Sequence, residues 1–292
     1  MSASAATLFI LSGATMCAVF SMRASDAAST YPLLLQFLGL AVNVASVSVP
    51  GRFDSDVDAS NMMFPWPSLF TPAGFAFAIW GVIYLGEFAG AAALLVSTKD
   101  VTAVLAPSSL AWTCANLAQA FWCASFRPWA LDKMWLSTAC LAATAFCLFT
   151  SQRTLLASLA EPRQPWRWWP LVVVPRSLHC GWVTAATLVN VNAFVGKAAF
   201  GAPVAFACAV LSLFAGVVLS EFYASFGLRA ASAAISWALF AVSKGRPVGR
   251  DAEALGSVAL SGFALLASVA SVLALFPVVR RMWDAVIQRA IK

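Results

Sequence analysis

His179, Trp182, Ala186 and Asn190 are spaced by three, four and four residues. On a helix that spacing puts all four side chains on one face. A small residue between an aromatic and an amide leaves room for a flat apolar body with polar edges. The four lie in an apolar run of membrane length, Pro170 to Val195, which also carries Arg176 and Asn192. Polar side chains at that depth are costly in lipid and turn toward other helices or a cavity. His179 is the single histidine of the chain. A buried neutral imidazole needs a hydrogen-bond partner for its N–H or a metal for its free nitrogen. Two readings follow: a ligand wall, or helix packing in which Asn190 bonds a neighbour and Trp182 fills the core.

Two more stretches carry chemistry of the same kind. In Phe70–Tyr84, FTPAGFAFAIWGVIY, Pro72 suits a helix's first turn, where its missing N–H costs little. Trp80, Tyr84 and Glu87 follow at steps of four and three and share one face. Glu87 is an acid inside a span, with no basic residue close to it in sequence. In Ser108–Phe126, Asn116, Gln119 and Cys123 share a face. Other chemistry is excluded or weak. One histidine rules out a multi-His metal centre. The seven cysteines lie in apolar spans with no C-x-x-C pair and read as small buried hydrophobes. Asp54, Asp56 and Asp58 alternate in a polar loop, but the glycine and distal glutamate of a calcium loop are missing. There is no nucleophile–base pair and no phosphate loop.

The elements that position these residues must cross a membrane. The 292 residues are 61% hydrophobic and 10% charged, where a soluble domain is nearer half apolar and a quarter charged. The net charge of +6 is scattered through short loops, which excludes a nucleic-acid patch. The expected fold class is all-α, a polytopic membrane protein. The expected spans are Tyr31–Val49, Phe70–Val96, Ser108–Phe126, Met134–Thr150, Pro170–Val195, Val204–Tyr223, Leu228–Val242 and Leu255–Val279. Met134–Thr150 is almost free of polar side chains and reads as lipid-facing packing. Ala5–Met22 is apolar and ends at Arg23, leaving a cleaved targeting segment or an extra helix as alternatives. Arg153, Arg163 and Arg167 with Trp166, Trp168 and Trp169 read as an interfacial belt. The tail Arg280–Lys292 reads as a basic amphipathic surface helix.

Several of these motifs, in this order, resemble the translocator-protein family, the tryptophan-rich sensory proteins. Trp182-x-x-x-Ala186-Thr187-x-x-Asn190 is similar to that family's fifth-helix motif, with His179 in place of its usual Tyr. Pro72, Trp80 and Tyr84 resemble its second segment. There Phe75 stands where a Trp is normal. Asn116 with Trp122 and Phe126 resembles the third, with Gln119 at a Trp position. The resemblance implies a five-helix core over residues 30–196, preceded by the targeting segment or extra helix at 1–29. A C-terminal extension of about three helices, residues 197–280, resembles a longer branch of the family, and 281–292 is the basic tail.

It also implies a ligand: a tetrapyrrole (porphyrin, haem or chlorophyll type) or a sterol. The ligand-binding residues would be Pro72, Phe75, Trp80, Tyr84, Asn116, Gln119, His179, Trp182, Ala186 and Asn190. His179 is a candidate axial ligand to a tetrapyrrole metal. No cofactor is required, although a tetrapyrrole could be bound. Trp80, Asn116, Trp182 and Asn190 are expected to converge on one cavity. Phe75 and Gln119 argue against a porphyrin-degrading enzyme, because the family ties that chemistry to the Trp missing here. The alternative to a binding protein is an auxiliary subunit of a larger photosynthetic or respiratory membrane complex. A transporter would call for an inverted repeat or matched broken helices, and neither is visible. Expected partners are membrane lipids, the ligand, and a larger complex or a second copy of the chain, without nucleic acid. The setting is an integral membrane, with a plastid or mitochondrion favoured and a bacterial inner membrane still open.

Overall fold

Backbone polar groups have no water to bond in the hydrocarbon layer, so apolar spans close their hydrogen bonds within helices. The computed structural model obeys this rule throughout. It describes residues 31–53, 68–95, 99–159, 169–247 and 250–290. The expectations for Ala5–Met22, for Asp54, Asp56 and Asp58, and for Arg163, Trp166, Arg167 and Trp168 lie outside the described residues.

Eight α-helices occupy the described residues: α1 Tyr31–Ser48, α2 Ile79–Leu95, α3 Lys99–Ser125, α4 Met134–Leu159, α5 Val174–Ala198, α6 Ala202–Ser225, α7 Arg229–Ser243 and α8 Arg250–Ala290. Five helical stretches are long and apolar enough to cross a membrane: Gly74–Ala93, Pro128–Leu159, Pro170–Ala198, Ala202–Ser225 and Arg250–Asp284. Leu34–Ser48 and Arg229–Ser243 are shorter apolar helices. The protein is therefore an all-α integral membrane protein. By contact the chain forms two compact units. The first comprises Met1–Asp56 and Trp80–Val183, the second Val57–Ile79 and Thr184–Lys292.

In the first unit α3 packs against both α1 and α4. Ser108, Ser109, Thr113, Asn116 and Gln119 on α3 are all buried, so its polar face is an inner face. Two glycines set the approach of α2 to the start of α5 and to the helical turn Trp169–Val173 just before it. A Cβ on Gly86 would stand 2.4 Å from Pro175 Cγ, and one on Gly90 would stand 2.4 Å from the carbonyl oxygen of Leu171. Small residues four apart let helix backbones come this close. Leu105, Leu155, Val172 and Val173 form an apolar cluster beside that contact.

Two expectations for this unit need adjusting. The fourth helix runs on to Leu159. Its Gln152 is buried and donates to the carbonyl of Val173 (2.9 Å) and to Ser177 Oγ (3.0 Å). Together with buried Ser137, Thr144 and Ser151, this gives α4 an inward polar edge as well as a lipid-facing side.

In the second unit α6, α7 and α8 pack against one another. Serines make the buried polar contacts between them. Ser236 Oγ donates to the Ser271 carbonyl (2.8 Å), and Ser271 Oγ donates back to the Ser236 carbonyl (3.0 Å). Ser232 Oγ donates to the Ser220 carbonyl (2.7 Å), and Ser220 Oγ to that of Ala274. The last helix is interrupted at Gly256, whose φ of 72° and ψ of 170° are open to glycine and strained for other residues. Beyond it the helix is continuous to Ala290, so the basic tail continues the last span instead of starting a separate element. Arg280 and Arg281 both reach Glu221 on α6, at 2.8 and 3.3 Å.

The segment ahead of α2 belongs to this unit up to Ile79. Pro72 precedes the helix instead of occupying its first turn. A 3₁₀ turn begins at Gly74, because Ala73 is extended and donates its N–H to the carbonyl of Ala241 (2.9 Å).

Candidate functional site: an aromatic group on a buried amide and charge network

The first unit gathers Trp80, Tyr84, Asn116, Gln119, His179 and Trp182. Trp80 and Tyr84, one helical turn apart on α2, stack with ring centroids 5.3 Å apart and planes 18° from parallel. Both are half-buried. Trp80 makes T-shaped contacts with His179 (5.4 Å) and Trp182 (6.4 Å), which lie one turn apart on α5. Trp112 of α3 faces His179 at 6.4 Å. Aromatic pairs in such edge-to-face arrangements are favourable beyond the area they bury.

Behind the rings runs a chain of polar side chains. His179 is 1% exposed and Glu87 5%. His179 Nδ1 lies 2.8 Å from Glu87 Oε1, and its Nε2 lies 2.6 Å from Gln119 Oε1. Gln119 accepts from Asn43 Nδ2 (3.2 Å) and donates to Tyr84 OH (3.2 Å). Asn43 Nδ2 also donates to Asn116 Oδ1 (2.8 Å). Asn116 Nδ2 donates to the Trp112 carbonyl (2.9 Å).

Arg176, one turn before His179 on α5, donates to Gln36 Oε1 (2.5 Å). Its guanidinium lies over the Trp112 ring, 4.0 Å from the centroid. A cation over a desolvated indole face is attracted by the ring quadrupole. Gln36 passes the bond on to Ser109 Oγ (2.8 Å). Glu87 and Arg176, with Gln36, Phe37, Leu40, Ala91 and Trp112, line a cavity of about 10 Å³, the size of one water molecule. Glu87 Oε2 and Arg176 Nη1 are buried there without a protein partner.

The other candidates belong to the second unit. Pro72 is buried in the segment before α2. Phe75 is 45% exposed and packs on Trp237 (5.3 Å) and Phe240 (6.0 Å). Trp237 Nε1 donates to the carbonyl of Ala76 (3.1 Å). Asn190 Nδ2 donates to the carbonyl of Ala186 (3.1 Å), one turn back on its own helix. Of the four residues expected to converge, Trp80, Asn116 and Trp182 are thus in the first unit and Asn190 in the second. The axial-ligand expectation for His179 does not fit the arrangement, because both ring nitrogens already face hydrogen-bond partners.

Sequence reasoning left four participants out of the candidate site. Gln36, Asn43, Trp112 and Arg176 are as central to the network as the residues it named. Glu87, without a basic neighbour in sequence, has its partner 92 positions away. One signal was available: Gly86 and Gly90 flank Glu87 at helix-contact spacing, which points that stretch of α2 at another helix.

The fold and site define a helical integral membrane protein whose first unit carries an aromatic group over a buried amide and charge network. The family comparison makes this specific. The sequence model described as TSPO-like protein matches residues 29–275, and the chain belongs to that family. Comparison with curated proteins and with solved structures gives no match.

Proposed function

We propose that the protein binds a flat, largely apolar ligand, a metal-free tetrapyrrole or a sterol, on the aromatic group around Trp80. The observation that carries this reading is the stacked Trp80–Tyr84 pair. It is half-buried and backed by His179 and Trp182, so it offers a flat surface whose orientation is held from behind. A planar apolar ligand with a few polar edges suits such a wall. Membership of the TSPO-like family supports the same ligand class. Neither residue standing at a normal tryptophan position supports porphyrin breakdown. Gln119 is spent on bonds to Asn43, Tyr84 and His179, and Phe75 packs with Trp237 and Phe240. A plastid or mitochondrial membrane is the setting we favour, on the alanine-rich composition.

The test is a titration of the purified full chain in mild detergent with metal-free porphyrin and, separately, with a sterol, read by quenching of tryptophan fluorescence or by competition. Trp80→Ala is expected to weaken binding of the true ligand by about tenfold or more, corresponding to roughly 1.4 kcal/mol. Trp135→Ala, at a position 58% exposed on α4, is expected to leave it unchanged. Equal affinities for Trp80→Ala and the wild type would overturn the proposal.

A further inference from the structure

The network around His179 contains a fixed point from which its proton positions can be worked out. The carbonyl oxygen of Trp112 can only accept, so the Asn116 atom 2.9 Å away is its NH₂ group. Asn116 then turns Oδ1 toward Asn43, and the Asn43 atom 2.8 Å from it must be NH₂. The same Asn43 NH₂ lies 3.2 Å from Gln119, which therefore presents its oxygen there. Gln119 Nε2 is left to donate to Tyr84 OH, and that hydroxyl lies 3.4 Å from Asn43 Oδ1, which accepts from it. Reversing any one amide would set two acceptors or two donors face to face. Gln119 Oε1 is also the atom 2.6 Å from His179 Nε2, so Nε2 carries a proton.

That leaves the opposite ring nitrogen. His179 Nδ1 stands 2.8 Å from Glu87 Oε1. If Glu87 were a carboxylate and Nδ1 bare, two buried acceptors would meet at hydrogen-bond distance with no hydrogen between them. A second proton must sit in this contact, either on Nδ1, making an imidazolium–carboxylate pair, or on Glu87.

We infer that Glu87 and His179 form a proton-binding site inside the membrane: the pair binds one proton between Glu87 Oε1 and His179 Nδ1. Arg176 is the neighbouring charge. Its guanidinium is permanently charged, and it lines the same small cavity as Glu87. With the proton bound, Arg176, Glu87 and His179 together carry one net positive charge. When the proton leaves to water, Glu87 is a carboxylate that balances Arg176, and His179 is neutral with its Nε2 proton. Release would leave two acceptors facing each other, so the imidazole must shift, and it would do so within the T-shaped contacts it makes with Trp80 and Trp112. The remaining groups that face the pair are Gln36 from α1, Tyr84 from α2, and Trp112 and Gln119 from α3. Cys123 and Arg52 are the further titratable groups beside Tyr84. Buried Glu and His side chains in membrane spans are the usual makings of proton relays. The inference does not depend on the ligand proposed above.

The single histidine makes the test direct. Full-length protein labelled with ¹⁵N-histidine gives ring signals from His179 alone. NMR in detergent or lipid is expected to show Nε2 protonated. It is also expected to show Nδ1 either protonated or shifted by an accepted hydrogen bond. In Glu87→Gln, the Nε2 proton should persist while any Nδ1 proton is lost. A wild-type Nε2 without a proton would overturn the assignment, as would an Nδ1 that neither carries a proton nor accepts a hydrogen bond. Both outcomes are read on the wild type, so the test stands even where the variant does not fold.

Discussion

The two units of this protein hold their helices together by different chemistry. In the first, long amide and charged side chains meet one another: Glu87 with His179, His179 with Gln119, Asn43 with Asn116, Arg176 with Gln36. In the second, the buried side-chain bonds across α6, α7 and α8 run from short hydroxyls to backbone carbonyls, and the long charged contacts of Arg280 and Arg281 with Glu221 stay at a solvent- or headgroup-accessible edge. A serine against a carbonyl lets helices approach closely and keeps its bond local, which suits packing. A chain of side chains costs more desolvation and ties residues far apart in sequence into one unit. The difference teaches where chemistry belongs: the costly network lies under the aromatic group, and the inexpensive one holds a bundle.

The comparison can be broken by substitution. The largest effect is expected for Glu87→Ala, which removes the buried partner of His179 Nδ1 and the carboxyl group that shares a cavity with Arg176. Removing one partner of a buried charged pair costs about 3–5 kcal/mol. Thermal unfolding in detergent should show a loss larger than for any single serine of the second unit, and a change no larger than theirs would erase the distinction.

Next come two glycines, one in each unit. A Cβ on Gly90 would stand 2.4 Å from the Leu171 oxygen, and one on Gly245 would stand 1.9 Å from the Thr71 oxygen. Neither backbone oxygen can swing away, so Gly90→Ala and Gly245→Ala should each destabilise by about 1–3 kcal/mol. Comparable losses in the two would show that close backbone contact, unlike the polar chemistry, is common to both units. Wild-type melting curves for the pair would remove these approaches as determinants of the fold.

Ser236→Ala sharpens the contrast from the other side. It removes one half of the reciprocal Ser236–Ser271 contact and should cost about 0.6 kcal/mol, the usual scale for one interhelical hydrogen bond in a membrane. A loss above about 2 kcal/mol, beyond the largest such value, would mean that the second unit also depends on a coupled network. The smallest effect is expected at Gly81, where an added Cβ meets nothing within 4 Å. Gly81→Ala should leave stability unchanged or raise it by no more than about 1 kcal/mol. A measured loss there would reveal a partner for that face of α2.

Composition and hydropathy were enough to establish an all-α membrane protein and the order of its helices, since lipid permits little except helices for long apolar runs, although only five of the eight expected spans fall in stretches long and apolar enough to cross. The helical phase was legible too: Trp80 and Tyr84 share a face, as do His179 and Trp182, and both pairs turn inward. Motif order pointed to the TSPO-like family before any coordinates. Which faces meet was decided only in three dimensions. Glu87 gave no sign in sequence of a partner 92 positions away, and nothing local to Asn43 or Gln36 ties them to Asn116, Gln119 or Arg176 on other helices. The limit of the phased helices as a guide shows in Asn190. It shares its helical face with Trp182, yet its amide bonds its own backbone at Ala186 and belongs to the other unit. Periodicity determines which side of a helix a residue occupies, because that is a property of one helix. The partner of each residue is set by how several helices pack, and that depends on contacts such as Gly86 with Pro175 and Gly90 with Leu171, which no single segment encodes.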